Sequence, residues 1–334
     1  MPVTAKDIAR ELNLSQPTVS RILSGDQRQR ASEATRQRVL EAAKRVHYQP
    51  NAVARSLRQG RTHIVGLYTH YNYDVRNDFL GAIIGSLQRT CASQGLDLLL
   101  HSALHGGCAE DIYGRLRDGR IDGLILHASP DDALVGLLGE SPLPVVVIAD
   151  RLPNLPSVTC DDSAGMRQMI GFLWERGHRR FAFLAPQRSL TSVERRRAAF
   201  LAALTERGLP PEDRAVLDID YEEVGAALAD LRRGGQPIAA CCWNDRAAYN
   251  LLRACLEQGV RVPEEVAVIG FDGFLDDKIP ARRLVTVRCP WAEVAVQALG
   301  TLTHLIEGRK TKNNFVFPTQ ETSLPVSLVE GDTA

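Results

Sequence analysis

Several things are missing from this sequence, and each absence narrows the reading. Apolar runs such as Val145–Ala149 are far too short to cross a bilayer, so no membrane is expected as a partner. The N-terminus is polar and helix-like and lacks the apolar core of a secretion signal, which leads us to expect a cytoplasmic protein. Cysteines stand at 91, 108, 160, 241, 242, 255 and 289, with no C-x-x-C pair and no Cys/His ligand spacing. They read as reduced, mostly buried thiols, and no metal or cofactor is expected. The nucleotide and nucleophile signatures are missing too: no G-x-G-x-x-G follows the first predicted strand, and there is no P-loop and no G-x-S-x-G elbow. An enzyme is therefore not expected. Nor is there net charge, since 40 lysines and arginines balance 40 acidic residues.

That balance conceals an uneven distribution. Residues 1–61 hold twelve lysines and arginines against five acidic residues, a net of +7, which leaves −7 on the remainder. A small basic head on a mildly acidic body suits a polyanion partner for the head alone; a solvated charged face is the other reading. The head is predicted all-helical. Thr4 with Asp7 forms an N-cap opening a helix through Leu12, with Ile8 and Leu12 inward. Asn13-Leu14 is a tight turn, and Ser15 caps a second helix to about Leu23, ended by Ser24-Gly25-Asp26. Pro17 falls at the second helical position, where its missing N–H has no intrahelical partner to lose. Ser32 caps a third helix with Val39, Ala42, Ala43 and Val46 on one face. This is a helix-turn-helix order.

Beyond the head the period changes. Nine β-rich runs are predicted: 63–69, 96–101, 121–127, 145–149, 181–185, 215–219, 238–243, 266–271 and 284–287. Most alternate with amphipathic stretches ending in glycine, such as "SLQRTCASQG", which indicates doubly wound parallel sheets in two comparable units. Asp161-Asp162 falls in a crossover, where helix caps are the ordinary use of such a pair. Between head and body lies "YQPNAVARSLRQGR": Pro50 stops the third helix and Asn51 caps a short one, Ala52 to Leu57, exposing Arg55 and Arg58. A helix this short needs a partner to be stable in water.

"VTAKDIARELNLSQPTVSRIL" followed by "YQPNAVARSLRQGRTHIVGL" closely resembles the lactose-repressor (LacI/GalR) family of bacterial transcription regulators. So do "LWERGHRRFAFLA", "RRRAAFLAAL", "WNDRAAYNLLRACLEQGVRVPEEVAVIGFDG" and "LVTVR", in the same order from Val3 to about Val329. The resemblance implies an α/β chain with a helix-turn-helix head at 1–48, a hinge helix and linker at 49–61, and a periplasmic-binding-protein-like body at 62–334. Its N-lobe spans about 62–160 and 290–318, its C-lobe about 162–288 and 320–330. A homodimer on a pseudo-palindromic double-stranded DNA operator is implied, with a small-molecule effector, a sugar or sugar derivative, between the lobes. The tail from Leu324 has no heptad repeat, so a dimer is the expected state.

By the same resemblance, Gln16, Pro17 and Arg21 read bases. Glutamine suits the adenine edge and arginine forks onto guanine, while proline offers only shape. A phosphate contact alone is the other reading for Arg21. Thr4, Ser15, Thr18 and Ser20 serve caps or phosphates, which position without specifying. Leu57 is implied to wedge a base step in the minor groove, with Asn51 and Arg55 holding nearby edges; packing on the body is the alternative for Leu57. In the cleft the implied polyol site is Arg196, Tyr221, Asn244 and Asp272, with His127 and Asp150 either joining it or bonding solvent or the hinge. The outer arginines, Arg195 and Arg197, admit a surface reading. One departure stands out: "HYNYDVRNDF" is longer and more polar than the family's usual Asn-Pro-Phe-Phe. Tyr71 and Asp74 there are expected to reshape the pocket toward a more polar ligand. Service to a dimer interface, a purine or other metabolite, effector-independent control and a solute-binding module are the alternatives.

Overall fold

The computed structural model describes residues 3–24, 31–49, 51–70, 78–102, 107–187, 190–220, 223–233, 235–274, 283–311 and 319–334. It divides into two compact units, Met1–His63 and Ile64–Ala334.

The first unit holds α1 (Ala5–Glu11), α2 (Gln16–Leu23), α3 (Glu33–Arg45) and α4 (Ala52–Gln59). Each start carries its own signal. Thr4 and Asp7 form a complete capping box on α1, and the Ser15 and Ser32 hydroxyls accept the Thr18 and Thr35 amides at the starts of α2 and α3. Pro17 sits in the first turn of α2, so the helix is not broken. Asn13 takes the left-handed conformation, φ 53°, in the turn between α1 and α2, a backbone region asparagine tolerates. Ile8, Val19, Ile22, Val39 and Ala42 form the core, and Arg45 pairs with Glu11 to tie α3 to α1. Because an N-cap hydroxyl satisfies an otherwise orphaned amide, Ser15→Ala should lower the head's stability by about 1 kcal/mol. Urea unfolding followed by head resonances checks this, and an unchanged midpoint would show the cap to be idle.

Among the described residues the second unit is built on two six-stranded sheets. The strands are β1 (Ile64–Thr69), β2 (Asp97–Ser102), β3 (Gly123–His127), β4 (Val145–Ile148), β5 (Ser157–Cys160), β6 (Phe181–Ala185), β7 (Arg214–Asp218), β8 (Ile238–Cys242), β9 (Val266–Asp272), β10 (Val285–Arg288), β11 (Glu321–Leu324) and β12 (Ser327–Val329). The first sheet runs β11-β5-β4-β3-β1-β2, all parallel. The second runs β12-β10-β9-β8-β6-β7, parallel except for β12. Helices α5 (Asp78–Ser93), α6 (Ala109–Leu116), α7 (Ala133–Gly139), α8 (Asp162–Glu175), α9 (Thr191–Glu206), α10 (Ala227–Leu231), α11 (Asp245–Glu257) and α12 (Trp291–Thr311) connect and cover them. Central strands such as β3 and β4 are buried at every position, as continuous apolar runs require when helices cover both faces.

Two expectations need correction. Strands β5, β11 and β12 were not predicted, because "SVTC", "ETSL" and "SLV" are short and carry hydroxyl side chains rather than a continuous apolar run. The segment 320–330 does not belong wholly to the C-lobe: β11 pairs with β5 in the first sheet, and only β12 joins the second. The edge of β5 is thereby covered, and the chain crosses after Leu324 rather than near 320. It crosses between sheets twice more, at 160–162 and 288–291. At the first crossing α8 lies so close to the second sheet that a Cβ on Gly165 would meet the Phe271 ring at 2.6 Å. Six of the seven cysteines are buried, and Cys108 is exposed.

Candidate functional site

In the head, Val19 and Ile22 anchor α2 in the core, and the 3.6-residue period turns Gln16, Pro17 and Arg21 outward; all three are exposed. Ser15 and Thr18 share a hydroxyl–hydroxyl hydrogen bond of 2.8 Å beside them. Thr4 is exposed and Ser20 half-buried. In α4, the Asn51 side chain accepts the Ala54 amide at 3.2 Å, and the helix runs on to Gln59, two residues past the expected end. Leu57 is 81% exposed there, and Arg55 is exposed as well.

In the body, the strand ends of both sheets bring together a continuous polar chain. His127, at the end of β3, lies 4.0 Å from the Asp150 carboxylate, and its Nδ1 is 3.3 Å from the Thr69 hydroxyl. Asp150 Oδ1 accepts from the Thr191 hydroxyl at 3.0 Å and the Ser192 amide at 2.7 Å, capping α9 of the second sheet from the first. The Arg195 guanidinium donates to Thr191 Oγ1 (3.1 Å) and to Asp162 Oδ2 (2.8 Å). The other oxygen of Asp162 accepts from Arg196 Nε at 2.7 Å, and Arg196 reaches to 3.8 Å from Asp272. The Arg196 guanidinium lies 3.7 Å over the Phe271 ring and donates to the Trp243 carbonyl. Phe79, edge-on to Trp291 at 4.7 Å and 5.1 Å from His127, supplies an aromatic wall.

Burial and neighbouring charges shift these groups in opposite directions. Burial lowers the His127 pKa, which the Asp150 carboxylate opposes, and it raises the Asp272 carboxyl well above the usual range despite the Arg196 charge. For Arg196 the order reverses: burial works against its charge, but Asp162 and Asp272 hold it above its ordinary value. Asp272 also has φ 124°, a strained backbone for a residue with a side chain. The next residue, Gly273 at φ 85°, lets the chain pass Arg288, whose Cα would lie 2.8 Å from a Cβ there.

Asp245 holds this turn: its carboxylate accepts from the Phe274 amide at 2.6 Å and the Thr286 hydroxyl at 2.5 Å. Burial pushes its pKa from 3.8 to about 6 despite these bonds. A carboxyl whose pKa rises on folding carries no penalty below 3.8, a growing one up to about 6, and the full penalty above that. The cost of Asp245→Asn, which cannot titrate, should therefore be smaller at pH 7 than at pH 4 by ~1–3 kcal/mol, measured by urea unfolding at both values.

Several expected residues look different in place. The Asn244 oxygen accepts the Ala247 amide at 3.0 Å as the N-cap of α11, so that acceptor is committed to the helix. Arg195 is not a surface residue: with its side chain 15% exposed, Asp162 draws it inward. Arg197 pairs with Asp218 at 2.5 Å. Tyr71, Asp74 and Tyr221 lie outside the described residues. The partner acid Asp162, 3% exposed, was missed. The signal was the doubled Asp161-Asp162: Asp161 alone caps α8, accepting the Ala164 amide at 2.8 Å, which leaves the second carboxylate for other work. Phe79, Trp243 and Trp291 carried no sequence signal separating them from core aromatics. Among the described residues no group of three metal-ligating side chains gathers, and no helix is long and apolar enough to cross a membrane.

Residues 4–51 match the family model for bacterial regulatory proteins of the lacI family, and residues 170–333 match the periplasmic binding protein-like domain. Over 314 residues the sequence is 32% identical to the HTH-type transcriptional regulator GalR of Escherichia coli (strain K12), covering 92% of this chain and 90% of that one. The chain belongs to the LacI family. As a LacI-family member it is a DNA-binding transcriptional regulator. Its fold also matches the lac repressor bound to ONPG in the repressed state, with a TM-score of 0.82, 25% identity, and coverage of 100% of both chains. The transcriptional regulator CelR–cellobiose complex matches with a TM-score of 0.69 and 25% identity over 99% of this chain and 100% of that one.

Proposed function

We propose that this LacI-family regulator is a homodimeric repressor, acting in the cytoplasm, that reads a pseudo-palindromic operator and is controlled by a small polar ligand between its lobes. The observation that carries the DNA half is the outward set of Gln16, Pro17 and Arg21 on a helix whose other face is buried. Gln16 takes an adenine edge and Arg21 a guanine, each contact worth ~1–3 kcal/mol of discrimination. Thr4, Ser15, Thr18 and Ser20 lie on phosphates, Asn51 and Arg55 on the minor-groove edge, and Leu57 at a central base step. Leu256, 82% exposed on α11, and Leu100, 50% exposed on edge strand β2, are apolar surface available to a second copy.

In the cleft, Arg196 and Asp272 present a donor fork and an acceptor to adjacent hydroxyls, which is the chemistry of a polyol; His127 faces them from the first lobe. A sugar or sugar derivative fits, in keeping with the cellobiose bound to CelR. Asp150 serves as a latch from the first lobe onto α9, so a ligand that changes lobe closure acts through it. Closure sets the separation of the two hinge segments and thereby the folding of α4 in the minor groove. Chemistry on a bound substrate is no part of this reading.

Two measurements test it. Selection of duplexes from a random pool should enrich an inverted repeat, and Arg21→Ala should lower affinity for it about 5–150-fold and relax one base position. A thermal-shift screen of sugars, sugar acids, amino sugars and purines should find a stabilising class, with no shift in Asp272→Ala. No enrichment, or equal shifts in the variant, would contradict the assignment.

A further inference from the structure

A cavity of about 360 Å³ lies along the α8–α9 pair and shares only Arg195 with the polar chain of the cleft. Three arginines line it: Arg151 from the loop after β4, Arg167 from α8 and Arg195 from α9. Ser163 adds a hydroxyl, and between Arg195 and Glu206 the α9 lining is alanine: Ala198, Ala199, Ala202 and Ala203. Among the described residues Glu206 is the one carboxylate that borders it. Arg195 and Arg151 already have carboxylate partners, Asp162 and Glu321. Arg167, exposed, has no hydrogen-bond or ion-pair partner among the described residues, so it supplies the uncompensated charge.

We propose that this groove is a second ligand site, distinct from the interlobe cleft, and that it takes a phosphoryl-type dianion. The size suits a small ligand, and planar guanidinium forks match the paired oxygens of a phosphoryl group. The site is bipartite. Arg151 pairs with Glu321 of the first sheet, and its backbone amide donates to Thr191 Oγ1 at 2.8 Å, whereas Arg167 and Arg195 ride on helices that follow the crossing. An anion gripped by both sides bridges the lobes beside the hinge. Arg195 also shares Asp162 with Arg196, so occupancy of the groove reaches the cleft through a single carboxylate.

The test is calorimetric titration of the full-length protein with inorganic phosphate at constant ionic strength, with chloride as the control. Wild type should bind phosphate saturably at one site per chain, while Arg167→Ala and Arg167→Glu should weaken it at least tenfold. Arg167→Lys should retain part of the affinity. Ala198→Phe, a substitution at an exposed position that fills the groove without touching a charge, should block binding while leaving the unfolding midpoint unchanged. A parallel arm with glycerol phosphate identifies the source: tighter binding than phosphate marks a phosphorylated metabolite, and equal or weaker binding marks the free anion. Non-saturating heats in wild type, or undiminished binding by Arg167→Glu and Ala198→Phe, would overturn the proposal.

Discussion

Asp162→Ala should destabilise the second unit by about 3–5 kcal/mol, the cost of stranding buried charge, and is expected to have the largest effect on stability. The carboxylate is 3% exposed and holds two arginines, one on each oxygen, at 2.7 and 2.8 Å. Removing it leaves Arg196, itself 3% exposed, with Asp272 at 3.8 Å as its remaining carboxylate. A guanidinium cannot shed its proton to relieve the burial, so the penalty falls on the fold. Asp162→Asn keeps one acceptor and should cost clearly less. Urea unfolding followed by tryptophan fluorescence measures both. Equal, small losses for the two variants would mean that the arginines find water, and that the cleft is more open than the geometry indicates.

Leu57→Ala should reduce operator affinity by at least tenfold with little change in the stability of either unit. An 81% exposed leucine lies outside the head's core among the described residues, so truncation removes no core contact. On the proposed reading the same side chain unstacks a base step in the complex, which costs a few kcal/mol offset by the contacts the bend permits. Alanine is too short to hold that step open. Fluorescence anisotropy on the selected duplex checks this, read beside the salt slope, which should be unchanged because no phosphate contact is lost. Unaltered affinity would mean that Leu57 does not enter the groove.

The head was legible because its signals are local. Ser15, Ser32 and Thr4 each lie three residues from the amide they cap, and the apolar period fixes which side of α2 is outward. The long parallel strands were legible for a similar reason, since burial on both faces leaves apolar runs such as β3 and β4. What sequence could not show is long-range. Strand β11 is a strand because β5 has an open edge 162 residues earlier in the chain, where Thr159 bonds Glu321 at 3.2 Å. The partnership of Asp162 with Arg195 and Arg196 spans 33 and 34 residues and follows from α8 and α9 packing side by side. Asn244 illustrates the converse: its type suited a ligand, but its position at the start of α11 gives its oxygen to the helix.

The most direct test of the coupling between head and cleft is operator affinity as a function of the concentration of a cleft ligand. The operator comes from random-pool selection and the ligand from the thermal-shift screen. Saturating ligand should change wild-type affinity about 5–150-fold, as a coupling of ~1–3 kcal/mol requires, and should leave Asp272→Ala unmoved. Identical operator affinity with and without a ligand that demonstrably occupies the cleft would contradict it.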